Sequence, residues 1–315
     1  MVFSFKQLRK SLMGVPEKKA LAFSQGDTPA WQQLERSVLS AIAGYHMTLE
    51  DSSLETLTQR LNTIEPELRG FATEGAAMGL TGLDCFLPWK QRVKEFLNGH
   101  GGDHIYMVHI GVGEALARLR RHPEPFLTKF DPVLRWLILD GYGFHEGFFR
   151  RRRYIDKQTL PSHLSAYAQR IFDQGLGRSI WFLKGAHVGN VVTAIGQFDQ
   201  ARHADLWSGI GVACAYAGGA ERTAIEHLRE QAGMYSPQLA LGAAVVAKGR
   251  QLAKNPALHS DIACEVLCEL SSAEAAHVTE TAFQDLPIND SEPAFSILQQ
   301  RIISQFEFAG QLLTP

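Results

Sequence analysis

Apolar residues recur at helical spacing along most of the chain, and this pattern predicts an all-α protein. In the clearest unit, 206–219 (LWSGIGVACAYAGG) predicts one helix that ends in a glycine turn. The following segment, 221–231, predicts a second helix in which Ala224, Ile225 and Leu228 form a buried stripe. Strand-like alternation of useful length is not found, so the pattern favours helix pairs.

Glycine marks the same point of successive helical units. The first glycines of six similar segments are Gly75, Gly111, Gly141, Gly175, Gly209 and Gly242. The intervals between them are 36, 30, 34, 34 and 33 residues. A regular period in this range is typical of stacked helical repeats, and it outweighs any single motif.

A glycine inside a helix costs about 0.5–1 kcal/mol relative to alanine, so its repeated use needs a physical reason. β-branched and aromatic residues surround these glycines at helical spacing, which argues against loops. We expect neighbouring helices to cross closely at each glycine, where a side chain would keep the two backbones apart.

The helical pattern extends to both ends of the chain. Segments 34–49 and 54–64 predict an earlier helix pair, and 260–270 and 273–286 continue the pattern after the last glycine segment. The predicted fold is an α-solenoid of about seven helix pairs. The spacing Trp207-x2-Ile-Gly-x-Ala makes these pairs tetratricopeptide-like. A closed α/α toroid is the alternative architecture.

This architecture predicts a single domain over residues 1–315. Within it we expect an N-terminal capping segment at 1–30, repeats at 31–270 and C-terminal capping helices at 271–315.

Composition narrows the function. With 31 Lys and Arg against 33 Asp and Glu, the net charge of −2 does not suit a nucleic-acid binder. The chain has neither a CxxC pair nor an apolar run of about 18 residues for a membrane span. Because the N-terminal residues also lack a signal-peptide pattern, we expect a cytoplasmic protein. The incomplete GxGxxG patterns at 111–116 and 175–180 do not identify a cofactor.

The helix predicted around 140–149 (DGYGFHEGFF) carries the densest polar cluster. Asp140, His145 and Glu146 are candidate acid/base residues, although their spacing does not place them on one helix face. The corresponding positions of the other units are small or apolar, so a buried His–Glu pair would be costly unless it is used. The alternative interpretation is packed polar residues that hydrogen-bond an adjacent repeat.

Residues from neighbouring units would extend this site. Glu74, His109 and Glu114 would complete a metal site. Aromatic and polar residues on the glycine helices would line a groove for a long unsaturated chain; the candidates are Phe144, Phe148, Arg150, Gln174, Arg178, Trp181 and Tyr216. The run Arg150–Arg153 is either a solvated helix end or a contact for the phosphopantetheine of an acyl carrier.

Five glycine-helix segments together carry a family resemblance. They are LRGFATEGAAMGL (68–80), HIYMVHIGVGEALARL (104–119), LDGYGFHEGFF (139–149), FDQGLGRSIWF (172–182) and LWSGIGVACAYAGG (206–219). With them, the chain from about residue 20 onward resembles the bacterial enediyne-biosynthesis accessory proteins. The resemblance implies secondary metabolism, beside an iterative polyketide synthase whose product is a conjugated polyene. It implies no set of catalytic residues.

Three functions are consistent with these features. The first is an accessory protein that binds, and as an enzyme would process, a linear hydrophobic intermediate in a helical-repeat groove. The second is a non-enzymatic scaffold that docks a polyketide synthase or its carrier domain. The third is a terpene or polyene cyclase that acts by protonation, with Asp140 or Asp173 as the acid.

Overall fold

Helices form all the regular structure that a computed structural model describes for this chain. The described residues are 13–288 and 292–311, the last four by backbone alone, and they contain no strand. The long helices are α2 (Pro29–Glu50), α4 (Pro66–Phe86), α7 (Ile105–Arg118), α9 (Leu137–Phe149), α10 (Ala166–Leu183), α12 (Gln200–Ala217), α14 (Ser236–Ala253) and α17 (Ala294–Gln311). The all-α prediction is therefore confirmed.

Shorter helices connect the long ones. They are α1 (Glu17–Ala20), α3 (Leu54–Asn62), α5 (Arg92–Leu97), α6 (His100–Asp103), α8 (Glu124–Leu127), α11 (Val188–Gly196), α13 (Arg222–Ala232), α15 (Leu258–Leu267) and α16 (Ser272–Ala282). A π-helical turn at Arg152–Asp156 takes this place after α9. A long helix followed by a short one is thus the repeating unit.

Local sequence fixes several helix ends. The side chain of Thr28 accepts a hydrogen bond from the Trp31 amide at the start of α2, and Ser165 and Asp199 cap α10 and α12 in the same way. At the end of α12, Gly218 has a φ of +70°, a conformation that glycine adopts without strain. The predicted helix–turn–helix at 206–231 is confirmed, with α12 starting six residues earlier, at Gln200.

The long helices pack in chain order as a solenoid-like array. From α2 through α4, α7, α9, α10, α12 and α14, each contacts the next. The array also curls until its first helices meet later ones. The ring centroids of Phe71 on α4 and Tyr216 on α12 lie 4.9 Å apart, and Gln33 on α2 donates to the carbonyl of Ala217. The interior is therefore enclosed by helices rather than open as a groove.

The repeated glycines lie where these helices cross. A Cβ on Gly209 would lie 1.9 Å from the carbonyl oxygen of Gln174 on the preceding long helix. Five other glycines show the same clash with the preceding helix: Gly75, Gly111, Gly141, Gly175 and Gly242. The prediction of close helix crossings is confirmed, because each backbone occupies the space that a side chain would need.

A second set of glycines faces the following helix. A Cβ on Gly113 would lie 1.9 Å from the carbonyl oxygen of Ile138, and one on Gly143 would lie 2.2 Å from that of Phe172. Gly177 and Gly211 make the equivalent approach. Helices α7, α9, α10 and α12 therefore each use one glycine for the previous helix and one for the next.

The predicted capping segments extend beyond the described chain. Residues 1–12, 289–291 and 312–315 of these segments lie outside the described residues. Within the described ranges, the C-terminal helices α16 and α17 pack on each other and on α14.

No helix described here combines the length and the apolar character needed to cross a bilayer.

Candidate functional site

Four long helices bring buried charged residues together at the centre of the array. Glu74 comes from α4, Glu114 from α7, Asp140 from α9 and Arg178 from α10, and each is at most 9% exposed. Each of these side chains lies beside a glycine at a helix crossing, where the backbones are closest. We call these four residues the acid–arginine cluster.

Arg178 connects the carboxyl groups of the acid–arginine cluster. Its Nη1 donates to Oδ1 of Asp140, and its Nη2 lies 3.8 Å from Oε1 of Glu74. Gln174 donates to the second oxygen of Asp140 at 2.7 Å. Burial would lower the pKa of Arg178, but the carboxylates of Asp140 and Glu74 raise it above its usual value. The guanidinium therefore stays charged.

Glu74 and Glu114 form a buried pair of carboxyl groups at the wall of one cavity. Burial raises the pKa of both side chains. For Glu114 the adjacent Glu74 raises the pKa further, while the hydrogen bond between the two carboxyls lowers that of Glu74. Arg178 opposes both increases. Burial and the mutual repulsion of two carboxylates therefore favour a pair that carries a proton over a pair that carries two negative charges.

An aromatic cavity adjoins this carboxyl pair. Phe144 stacks on Phe148 with ring centroids 5.5 Å apart, and the guanidinium of Arg178 lies 4.7 Å from the centroid of the Phe144 ring. The first cavity is otherwise lined mainly by apolar side chains, among them Val38, Ile42, Phe71, Met78, Phe149 and Phe182. A ligand there would have a mostly apolar environment, with two carboxyls and the guanidinium groups of Arg118 and Arg178 in the wall.

Residues 13–23 run across this first cavity, and we call them the strap. Val15 and Ala20 line the cavity from the strap. The Phe23 ring lies 5.0 Å from Phe148. Tyr45 Oη and Arg118 Nη2 both donate to the carbonyl of Met13, each at 2.9 Å. The strap is thus held by an aromatic contact at one end and hydrogen bonds at the other.

A second cavity lies on the other side of Arg178. It is lined by Asp140, Gln174 and Tyr216 and by apolar side chains that include Met107, Ile110, Leu137, Val212, Val245 and Val246. Phe71, Arg178 and Phe182 line both cavities. The charged cluster therefore lies between two apolar spaces.

The candidate residues Asp140, His145 and Glu146 do not meet at one point. Asp140 faces Arg178, whereas Glu146 accepts from Arg150 Nη1 at 2.8 Å, and His145 Nδ1 lies 3.9 Å from the Glu146 carboxylate. Burial lowers the pKa of His145, so the imidazole is neutral, despite the opposing effect of Glu146. These contacts of His145 and Glu146 lie within one helical segment rather than with an adjacent repeat, while Asp140 belongs to the acid–arginine cluster.

The three candidate metal ligands, Glu74, His109 and Glu114, do not lie together either. Glu74 and Glu114 are adjacent, but His109 donates to the carbonyl of Ile105 at 2.7 Å and packs its ring on Phe130. Within residues 13–288 and 292–311, no three His, Cys, Asp or Glu side chains are grouped as metal ligands would be. The structure thus leaves a carboxyl pair where the sequence predicted three ligands.

The candidate substrate-binding residues separate into lining and packing residues. Those that line a cavity are Phe144, Phe148, Gln174, Arg178 and Tyr216. Trp181 is buried and donates its Nε1 to the carbonyl of Gly218, and Arg150 is paired with Glu146. Both stabilise the fold by these contacts.

The Arg150–Arg153 run and Asp173 likewise have partners within the chain. Arg151 lies 3.6 Å from Asp156, and Arg153 packs over the Tyr154 ring. Arg202 donates to both carboxylate oxygens of Asp173. Of the two acids considered for a cyclase, Asp140 lines the second cavity, whereas Asp173 is paired with Arg202.

Phe71 and Phe182 line both cavities but are not among the candidate residues predicted from the sequence. Phe71 precedes Glu74 by three residues and Phe182 follows Arg178 by four, so each shares a helix face with a charged residue. That spacing was a usable signal.

Comparison with known proteins gives one family. A family model described as "Protein of unknown function (DUF1702)" matches residues 4–306, so the chain belongs to that family. No curated protein and no solved structure matches the chain.

Proposed function

We propose that this member of a family of unknown function binds a linear unsaturated small molecule and transfers a proton to or from it. The observation that carries the proposal is the Glu74–Glu114 carboxyl pair at the wall of an aromatic cavity. A carboxylic acid kept neutral by burial is a proton donor at neutral pH, and the adjacent carboxylate can take a proton back.

The surroundings of the carboxyl pair suit this chemistry. Protonation of a carbon–carbon double bond places positive charge on the ligand, and the faces of Phe144 and Phe148 attract such charge. Proton transfer leaves Glu114 as a carboxylate, which Arg178 stabilises electrostatically. In this proposal Glu114 is the acid, Glu74 is the base, and Asp140 with Gln174 holds Arg178 in position.

We further propose that the ligand is a polyene or isoprenoid intermediate of secondary metabolism. The resemblance of the glycine helices to enediyne-biosynthesis accessory proteins supports this context, and the enclosed apolar cavity suits such a chain. Ring closure after protonation is one outcome of the same chemistry, with Glu114 rather than Asp140 or Asp173 as the acid.

The test replaces Glu114 by glutamine in the organism that carries the gene. Glu114→Gln keeps the shape and a hydrogen-bond donor but removes the transferable proton. We expect an apolar unsaturated precursor to accumulate in cell extracts and its product to disappear, as measured by mass spectrometry. Infrared spectroscopy of the purified variant should also lose the band of a protonated carboxyl at neutral pH.

Glu226→Gln is the matched control, because Glu226 is exposed on α13. This variant should leave the metabolite profile and the infrared band unchanged. A folded Glu114→Gln variant with the wild-type profile would refute proton transfer by this residue. His145→Ala tests the His–Glu hypothesis in the same assay. The present proposal predicts that cells with this variant still make the product.

The second candidate is a scaffold for a polyketide synthase or carrier domain. One observation favours it: Phe86, the last residue of α4, is 64% exposed, and Trp89, in the turn that follows, is 70% exposed. Exposed aromatic residues are common anchors in protein interfaces. Trp89→Ser separates the two functions. The scaffold function predicts that this substitution weakens capture of the synthase in a pull-down and alters the product profile, whereas proton transfer predicts neither effect.

A further inference from the structure

The acid–arginine cluster lies between two apolar cavities rather than at the end of one. Glu74 and Glu114 line the first cavity, and Asp140 and Gln174 line the second. Arg178 contributes to both walls. The polar groups are thus at a junction, with apolar space on either side.

Three residues border both spaces. Besides Arg178, the residues common to both linings are Phe71 and Phe182. Phe71 packs edge-on against Tyr216, and Phe182 packs edge-on against Phe144. Aromatic rings of this kind change position by side-chain rotation, which leaves the helices in place.

The rest of each lining is mainly apolar. Val38, Ile42 and Met78 line the first cavity, while Val212 and Val245 line the second. Arg118, which also lines the first cavity, donates to the carbonyl of Met13. An apolar arm of a ligand loses no hydration among such side chains, so each cavity suits an apolar arm.

From this arrangement we propose that the two cavities are two arms of one binding site. The site takes an elongated ligand whose polar or reactive group lies in the middle of the molecule, with an apolar arm on each side. The middle group contacts the junction formed by Glu114 and Arg178, and rotation of Phe71 and Phe182 joins the arms. This inference rests on the proposed function and specifies its ligand class.

Two isomeric ketones provide the probe. Dipentyl ketone carries its oxygen in the middle of the chain, and methyl nonyl ketone has the same formula with its oxygen near one end. When the oxygen accepts a hydrogen bond at the junction, only dipentyl ketone buries apolar carbons in both arms. We expect dipentyl ketone to bind at least about tenfold more tightly by isothermal titration calorimetry.

Matched substitutions fill one arm at a time. Val38→Phe narrows the first cavity and Val212→Phe the second, and both valines are half-buried. Each variant should weaken dipentyl ketone binding by about tenfold or more. Val192→Phe is the control, since Val192 is half-buried on α11 away from the residues that line these cavities. If circular dichroism shows that Val38→Phe does not fold, Ile42→Phe takes its place in the first cavity. Val245→Phe likewise takes the place of Val212→Phe in the second cavity.

Three results would overturn the two-arm site. The wild-type protein binds neither ketone, the two ketones bind equally well, or filling the second cavity leaves dipentyl ketone binding unchanged. Glu114→Gln distinguishes this failure from failure of proton transfer. Its amide still donates to the ketone oxygen, so the variant keeps ketone binding even though it loses the proposed reaction.

Discussion

Gly209 shows how one missing side chain sets the distance between two helices. Its Cα faces the carbonyl of Gln174, one residue from the buried Asp173 and four from Arg178. Position 209 therefore controls how closely α12 approaches the helix that carries the cluster's arginine. The cost of glycine in a helix is offset here by close packing of two backbones.

Gly209→Ala should destabilise the protein strongly. The added Cβ would lie 1.9 Å from the carbonyl oxygen of Gln174, so α10 and α12 must separate. We expect the free energy of unfolding to fall by about 1–3 kcal/mol in urea denaturation. Gly196→Ala is the control, because no heavy atom lies within 4 Å of a Cβ there.

In the control, the added methyl group carries no packing cost, and better helix propensity would raise stability by up to about 1 kcal/mol. Equal destabilisation by both substitutions would contradict the crossing role of Gly209.

The positions of the first glycines were predictable from their period alone. The forward-facing glycines such as Gly113 were not assigned, because only the packed structure shows which neighbour each one meets.

At the scale of elements, four of the long helices, α4, α7, α9 and α10, each present a charged residue inward beside a crossing. Glu74 on α4 and Arg178 on α10 lie on helices that are far apart in the chain, yet they form an ion pair. The helix pattern predicted both as polar residues beside glycines. It could not predict their pairing, since the curl of the array decides which faces meet.

The strap forms part of the wall of the first cavity through Val15 and Ala20. Its regular structure is short, with α1 at Glu17–Ala20 and a 3-10 turn at Leu21–Phe23. Its hydrogen bonds to Tyr45 and Arg118 converge on one carbonyl, that of Met13. Loss of one donor should therefore loosen the strap without unfolding the helices.

Tyr45→Phe should increase local opening of the strap. Loss of the hydroxyl that donates to Met13 costs about 1 kcal/mol, which corresponds to a roughly fivefold greater open population. Trypsin cleavage at the exposed Lys18 and Lys19 measures this opening by mass spectrometry. Trypsin should cleave the Tyr235→Phe variant, whose substitution lies outside the strap, at the wild-type rate. A Tyr45→Phe variant that also cleaves at that rate would show that the hydroxyl does not hold the strap.

At the scale of the whole molecule, curling of the array is what encloses the site. Arg250 on α14 lies at the seam where late helices meet α4 and is 4% exposed. Its guanidinium donates to the carbonyls of Tyr216 and Asn255 at 2.7 and 2.8 Å and approaches that of Glu67. These contacts join three parts of the chain that are distant in sequence.

Arg250→Met should destabilise the closed array because it leaves buried carbonyls without their donor. We expect a loss of about 3 kcal/mol in the free energy of unfolding, measured by urea denaturation. Arg222→Met breaks an exposed ion pair with Glu265 and should cost at most about 1 kcal/mol. If the two variants lose similar stability, the seam is not held by Arg250.

The sequence by itself determined the helices, their period and the residues that could carry charge into the interior. These features follow from local physics. The spacing of apolar residues and the capping residues predict the helices, and the free-energy cost of glycine inside a helix means that its regular recurrence needs a structural reason. Only the tertiary structure decided that Glu74, Glu114, Asp140 and Arg178 meet, and that His145, Glu146 and His109 lie elsewhere. The reason is that small rotations between successive helices add up over the whole array, so which faces converge is a property of the packing and not of any one segment.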